Sequence, residues 1–234
     1  IKQDQEVRVV VISGPGDKEH FSAGADIRAV KSRGTSEGSG YVAAPERILH
    51  PTNEKRYGKI FTGEIKLYKP VIFAINGYCI GAATLLMMAL SDITVVSDDF
   101  KFGLLEIKRA IGPSSYEVKL LPQRMPWVIA MEMLFTGRIM KAKEAQKVGL
   151  VNRVVKPGKL MSTATAIAEE IAANPPLHIH AAKQLALTIK DIPLPLSEIQ
   201  GQLYMAMLNN LPDSKEGPRA FLEKRKPNYT GQLD

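Results

Sequence analysis

Two short segments rich in small residues, and one carboxylate set among apolar neighbours, are the parts of this sequence that could do chemistry. Phe21-Ser22-Ala23-Gly24-Ala25-Asp26-Ile27 follows the first apolar run. Its small residues let a backbone approach a ligand closely, and Asp26 is placed to cap the segment after it. Asn76-Gly77-Tyr78-Cys79-Ile80-Gly81-Ala82-Ala83 makes the same move after the second apolar run. At a turn that opens a helix, backbone N–H groups point outward unpaired and suit an anion or a carbonyl oxygen. Two such turns on neighbouring strand ends can aim two donors at one oxygen, an oxyanion hole, where losing one donor costs roughly 10²–10³ in rate. Tight helix–strand packing explains either segment taken alone, so the weight rests on the pair. The carboxylate is Glu106, in Phe102-Gly103-Leu104-Leu105-Glu106-Ile107. A carboxylate among apolar residues is costly unless it is paired or put to use. Proton transfer is one such use, and a salt bridge to Lys108 or Arg109 is the structural alternative.

These residues need strands to hold them and helices to back them. Val7 to Ser13, Val71 to Ile75, Ile93 to Ser97 and Val151 to Val155 are β-branched runs ended by turn residues and read as buried strands. Gly81 to Leu90 is apolar all round and reads as a buried helix. Pro126 to Phe135 and Lys141 to Val148 read as amphipathic helices, with Pro126 in a first turn. From Leu160 the strands stop. Leu160 to Ala173, Leu177 to Ile189, Pro195 to Leu211 and Lys215 to Lys224 read as helices separated by proline-containing breaks. The result is an α/β core followed by an α-helical appendage. Ser32 to Gly40 reads as a mobile loop.

Composition narrows the class. The chain has 234 residues, 45% hydrophobic and 24% charged, ample for one large core. No run approaches the ~20 consecutive apolar residues of a membrane span. A single cysteine, Cys79, excludes an internal disulfide and suits a reducing compartment, the cytoplasm or an organelle matrix. The charge of +7 permits an anionic ligand, but with aromatics at 6% there is no basic, aromatic stripe to bind nucleic acid. His20, His178 and His180 lack metal-ligand spacing, and Met87, Met88, Met131 and Met133 suit core packing.

Phe21 to Ile27, Lys69 to Gly81, Phe102-Gly103 with Glu106, Leu134 to Arg138 (LFTGR), Gly149 to Val155 and Glu216 to Pro227 occur in one order. That order resembles the enoyl-CoA hydratase/isomerase, or crotonase, family over nearly the whole chain. The resemblance implies a crotonase spiral of ββα units over residues 1–158, with a helical trimerisation region over 159–234. The family's first hairpin and first helix have no counterpart here, which implies a start upstream of Ile1, and Arg28 to Tyr68 is longer than usual. It further implies an acyl-CoA thioester substrate, no separate cofactor, and a homotrimer or hexamer. The oxyanion donors would be the N–H groups of Ala25 and Ala82. Ala23, Asp26, Ile27 and Gly81 would line the thioester and Arg28 would meet a coenzyme A phosphate. Lys224-Arg225-Lys226 could add phosphate contacts. Glu106 coincides with one of the family's two catalytic glutamates.

The second glutamate is absent. Where hydratases of the family carry it, this chain reads Ala82-Ala83-Thr84-Leu85-Leu86-Met87-Met88, and Thr84, Leu85 and Leu86 compete for the position. Some relatives place an acid later, in the loop corresponding to Gly112 to Val118. The corresponding residue here is Ser114, with Glu117 nearby and able to serve only if its loop is rearranged. Syn hydration is served best by two carboxylates, whereas one suffices to move a proton between two carbons. The expectation is therefore an enolate-stabilising acyl-CoA enzyme, hydratase or isomerase, with isomerisation the faster reaction. The alternatives are a catalytically impaired relative that binds coenzyme A or RNA, and a crotonase-type hydrolysis of a thioester or a carbon–carbon bond.

Overall fold

The computed structural model describes residues 4–16, 20–24, 67–112 and 115–233. The readings placed on Ala25, Asp26, Ile27, Arg28, Ser114 and the loop from Ser32 to Gly40 lie outside the described residues.

Strand β1 is Val10–Ser13, β2 is Val71–Ile75, β4 is Ile93–Ser97 and β7 is Arg153–Val155, in the sheet order β1-β2-β4-β7. Strand β2 runs parallel to β4, with Ile72 opposite Ile93 and Ile75 opposite Val96, and β4 runs parallel to β7. Every residue of β2 is buried, as a parallel strand covered on both faces requires. A second sheet joins β3 (Tyr78–Ile80), β5 (Lys101–Gly103) and β6 (Ile139–Lys141), with β3 parallel to β5 and β5 antiparallel to β6. Sequence reasoning missed this sheet. Its strands are three residues long, too short for an alternating pattern to emerge.

Helix α1 (Ala82–Leu90) buries Ala83, Thr84, Leu85, Met87 and Met88, in keeping with its apolar circumference. Helix α2 (Ser115–Arg124) corrects the reading of Gly112 to Val118 as a loop. Its polar composition and the interior Pro122 concealed it. Helix α3 (Trp127–Thr136) starts after Pro126, which is its N-cap rather than a first-turn residue. It ends at Gly137, whose φ of 58° lets its N–H bond the Met133 carbonyl at 2.9 Å. Arg138 then pairs with Glu132 at 3.0 Å and Glu144 at 2.6 Å, so LFTGR is a helix stop followed by an ion-pair clasp. Helix α4 is Ala142–Lys147.

Helices α5 (Leu160–Ala172), α6 (Pro176–Ile189), α7 (Leu194–Asn209) and α8 (Pro212–Leu222) complete the described chain, three of them opening with proline in the first turn. The fold separates into two compact units. One comprises residues 1–11, 67–71 and 165–234, the other residues 12–66 and 72–164. Within the first, the Arg8 guanidinium donates to the carbonyls of Ala172 at 2.9 Å and Tyr229 at 2.8 Å. Lys183 donates to the Lys69 carbonyl at 2.9 Å. Among the described residues no helix is long and apolar enough to cross a membrane.

Candidate active site

The first small-residue segment lies along β3. Phe21 donates to the Asn76 carbonyl at 3.1 Å, Ser22 to that of Tyr78 at 2.9 Å, and Ile80 returns a bond to Ser22 at 3.1 Å. This pairing brings the two turns side by side. Gly24 has φ of 94°, and a methyl group there would stand 2.9 Å from the Ile80 carbonyl oxygen. Only glycine fits both the conformation and the gap.

The second turn is fixed at both ends. The Asn76 amide donates to the Gly16 carbonyl at 2.8 Å. Gly77, at φ 58°, donates its N–H to Asp99 at 3.2 Å, and Ser97 donates its hydroxyl to the same carboxylate oxygen. Asp99 and Ser97 were missed in the sequence because they lie about twenty residues along the chain from the turn they hold. His20 packs edge-on against Tyr78 with ring centroids 4.3 Å apart, so it braces the turn.

Gly81, at φ 58° and ψ −123°, leads into α1. Its N–H is held by the Gly103 carbonyl at 3.0 Å, and its own carbonyl accepts from the N–H groups of Thr84 at 2.9 Å and Leu85 at 3.4 Å. The N–H of Ala82, first in the helix, has no acceptor among the described residues. It adds to the positive end of the helix dipole. Thr84 is fully buried and gives its hydroxyl to the Gly81 carbonyl at 2.6 Å, while Leu85 is buried in the core. The α1 positions that compete for the missing acid therefore supply a helix-start hydrogen bond and apolar packing. Of the substrate-lining residues expected from the sequence, Ala23 is exposed beside Gly24.

Glu106 opens a single 3₁₀ turn, Glu106–Arg109, three residues after β5 ends at Gly103. A methyl group on Gly81 would stand 2.9 Å from Glu106 Oε1 and 3.8 Å from Gly24 Cα, so the two turns and the carboxylate converge. Its other oxygen, Oε2, is buried with no hydrogen-bond partner among the described residues. No ion pair joins it to Lys108 or Arg109, whose guanidinium instead reaches back to the Leu105 carbonyl at 3.4 Å. A buried carboxylate oxygen with no protein partner is costly and calls for an explanation, of which a catalytic role is one.

Beside it lies a cavity of about 20 Å³ lined by Leu104, Glu106, Ile107, Glu117 and Leu134. Glu117 is 5% exposed. The first turn of α2 carries it to the cavity. The signal for this was hidden by the missed helix.

The other sequence candidates fall elsewhere. Met87, Met88 and Met133 are core residues. His178 Nε2 meets the Ser214 hydroxyl at 2.8 Å. Arg225 is bound to Glu216 at 2.5 and 2.8 Å and to Glu223 at 2.6 Å. Among the described residues no group of histidine, cysteine and acids could hold a metal ion.

Residues 1–232 match the family model described as enoyl-CoA hydratase/isomerase. The chain is 34% identical to the (E)-benzylidenesuccinyl-CoA hydratase of Thauera aromatica, covering 99% of this chain and 84% of that protein. It is 37% identical to the carnitinyl-CoA dehydratase of Escherichia coli K12, with the same coverages. The enoyl-CoA hydratase of Bacillus anthracis superposes with a TM-score of 0.83 at 31% identity, over 99% of this chain and 84% of that one. The enoyl-CoA hydratase of Mycobacterium tuberculosis does so at the same score and identity. Two small-residue turns beside one unpaired glutamate, a mixed α/β spiral and these matches have one account: the chain belongs to the enoyl-CoA hydratase/isomerase family of the crotonase superfamily, enzymes that act on thioesters of coenzyme A.

Proposed function

We propose that this protein adds water to a 2-enoyl-CoA thioester, or removes it in reverse, through an enolate held at the Gly24 and Gly81 turns. The observation that carries this reading is the convergence of Gly24, Gly81 and the unpaired Glu106 carboxylate beside the open N–H of Ala82. In this reading the thioester oxygen accepts from Ala82 and, on the other turn, from Ala25. Polarising that carbonyl draws the double-bond electrons towards the α-carbon and opens the β-carbon to water. Glu106 Oε1 lies against the Gly81 turn, which supports this carboxyl group as the one that exchanges the α-proton of the enolate. Ala23, Asp26, Ile27 and Gly81 line the thioester, and Arg28 meets a phosphate of the coenzyme.

Two features favour hydration over proton transfer between two carbons and so reverse the preference drawn from the missing α1 acid. Similar proteins are hydratases and a dehydratase by name. The cavity beside Glu106, at about 20 Å³, is the size that one water molecule needs, ~10–15 Å³ or slightly more. Coenzyme A enters as part of the substrate, and the active form is a trimer or a dimer of trimers. The reducing compartment that a lone buried thiol suits is its place of work.

The test is turnover of crotonyl-CoA, followed by loss of the conjugated enoyl-thioester absorbance. Glu106→Gln keeps the shape and removes the base, and should lower kcat/KM by ~10²–10⁴ with little change in ligand affinity. Hydration by the unmodified protein should exceed isomerisation of the matching 3-enoyl thioester. Undiminished hydration in the Gln variant would remove Glu106 from the mechanism.

A further inference from the structure

We infer that Glu117 is the second catalytic carboxyl group of this enzyme, replacing the acid that α1 lacks, and that it activates the water that adds to the substrate. The inference rests on the hydratase reading above and extends it to a residue on a different helix.

Three observations converge on it. The described part of α1 offers no acid at the enolate, because its candidate positions are a threonine spent on Gly81 and leucines. Among the described residues that wall the water-sized cavity, the ionisable ones are Glu106 and Glu117; Leu104, Ile107 and Leu134 are apolar. A water held there needs polar partners, and the carboxylates are the side chains that provide them. Finally, Glu117 is 5% exposed and stands in the first turn of a ten-residue helix, whose dipole favours a carboxylate there.

The two acids divide the work by position. Glu106 faces the Gly81 turn and therefore the α-carbon. Glu117, the other carboxylate in the cavity wall, is left to the water. As the carboxylate of Glu117 takes one proton, the water oxygen bonds to the β-carbon. The π pair of the double bond moves onto the thioester enolate, and the carboxyl of Glu106 then gives its proton to the α-carbon. One O–H bond and the C=C π bond are broken, one C–O and one C–H bond are formed, and the sum is one added water. The proton now on Glu117 returns to Glu106 through the next water to occupy the cavity.

The experiment separates the two acids on one preparation, by hydration of crotonyl-CoA and by exchange of the α-protons of butyryl-CoA with deuterated solvent. Exchange needs the oxyanion donors and Glu106 but no water addition. Glu117→Gln should lose hydration ~10²-fold or more while exchange stays within about threefold of the unmodified protein. Glu106→Gln should lose both. Full hydration in Glu117→Gln overturns the inference and leaves the proposed function standing. Loss of both reactions in a folded Glu117→Gln also overturns it, by making Glu117 a positioning residue. If Glu117→Gln does not fold, Glu117→Asp replaces it: the carboxylate withdrawn by one methylene should slow hydration at least tenfold and spare exchange, and unchanged hydration overturns the assignment. No hydration by the unmodified protein, with exchange intact, defeats the proposed function and this inference with it.

Discussion

Gly81 meets two demands at once, and a side chain defeats both. Its φ of 58° with ψ of −123° is a conformation that glycine alone adopts freely, and the space a methyl would take ends 2.9 Å from Glu106 Oε1. Gly81→Ala should lose ~1–3 kcal/mol of stability from backbone strain alone. Turnover should fall further than stability explains, because the methyl displaces the carboxylate. A denaturant midpoint shifted by that amount, with activity reduced at least tenfold, is the expected pair of readings; an unshifted midpoint contradicts the geometry. Cys79 is the opposite case, a group with chemistry and no outlet. It is fully buried, and burial pushes its thiol well above the usual range. Since the thiolate is the reactive form, Cys79 should resist a disulfide-exchange reagent in the native protein and react at once in denaturant.

At the scale of elements, α1 shows how a helix start serves the site without an acid. The Gly81 carbonyl accepts from two backbone N–H groups and from the Thr84 hydroxyl, so losing the hydroxyl leaves it satisfied. Thr84→Val keeps the shape and should cost no more than ~1 kcal/mol. Hydration should be unchanged, whereas a large loss of rate would give Thr84 a place in the chemistry. The C-terminal segment shows an element held by charge. The Arg225 guanidinium, and after it the Asn228 N–H, hold the Glu216 carboxyl down at about 2 against an ordinary value of 4.5. A carboxylate whose folded value is depressed contributes stability above its ordinary range and loses it as pH falls through the folded value. The contribution is therefore full above pH 4.5 and fades towards pH 2. Glu216→Gln should flatten the fall of stability across that window, read by thermal melts at stepped pH. An unchanged slope would mean that the pair is not held in solution.

At the scale of the molecule, α7 and α8 present apolar side chains that one chain leaves uncovered. Leu194 is 80% exposed, Met207 71%, Phe221 82% and Leu222 79%. Apolar surface of this extent on a globular protein marks a contact, and the proposed trimer would cover it. Light scattering at micromolar concentration should give three or six chains, and Met207→Glu with Phe221→Glu should shift the population towards monomer. A monomer from the unmodified protein would contradict this assembly.

The sequence by itself determined the long buried strands β2 and β4, the helices after Leu160 and the two glycine-bearing turns. Each depends on local pattern: a β-branched run, an amphipathic period, a small residue where the backbone must turn. It also marked Glu106, because a carboxylate between apolar residues needs a reason. The short second sheet was not legible, since three-residue strands are stabilised by partners far along the chain and not by their own composition. Nor was α2, whose polar sequence and interior proline give little local signal; the helix forms where its buried face, with Leu121 fully enclosed, meets the core. That helix decides the reading of the site. In the sequence Glu117 stands eleven residues from Glu106 in what reads as a loop, and only the tertiary path of the chain brings both carboxylates to one water-sized cavity.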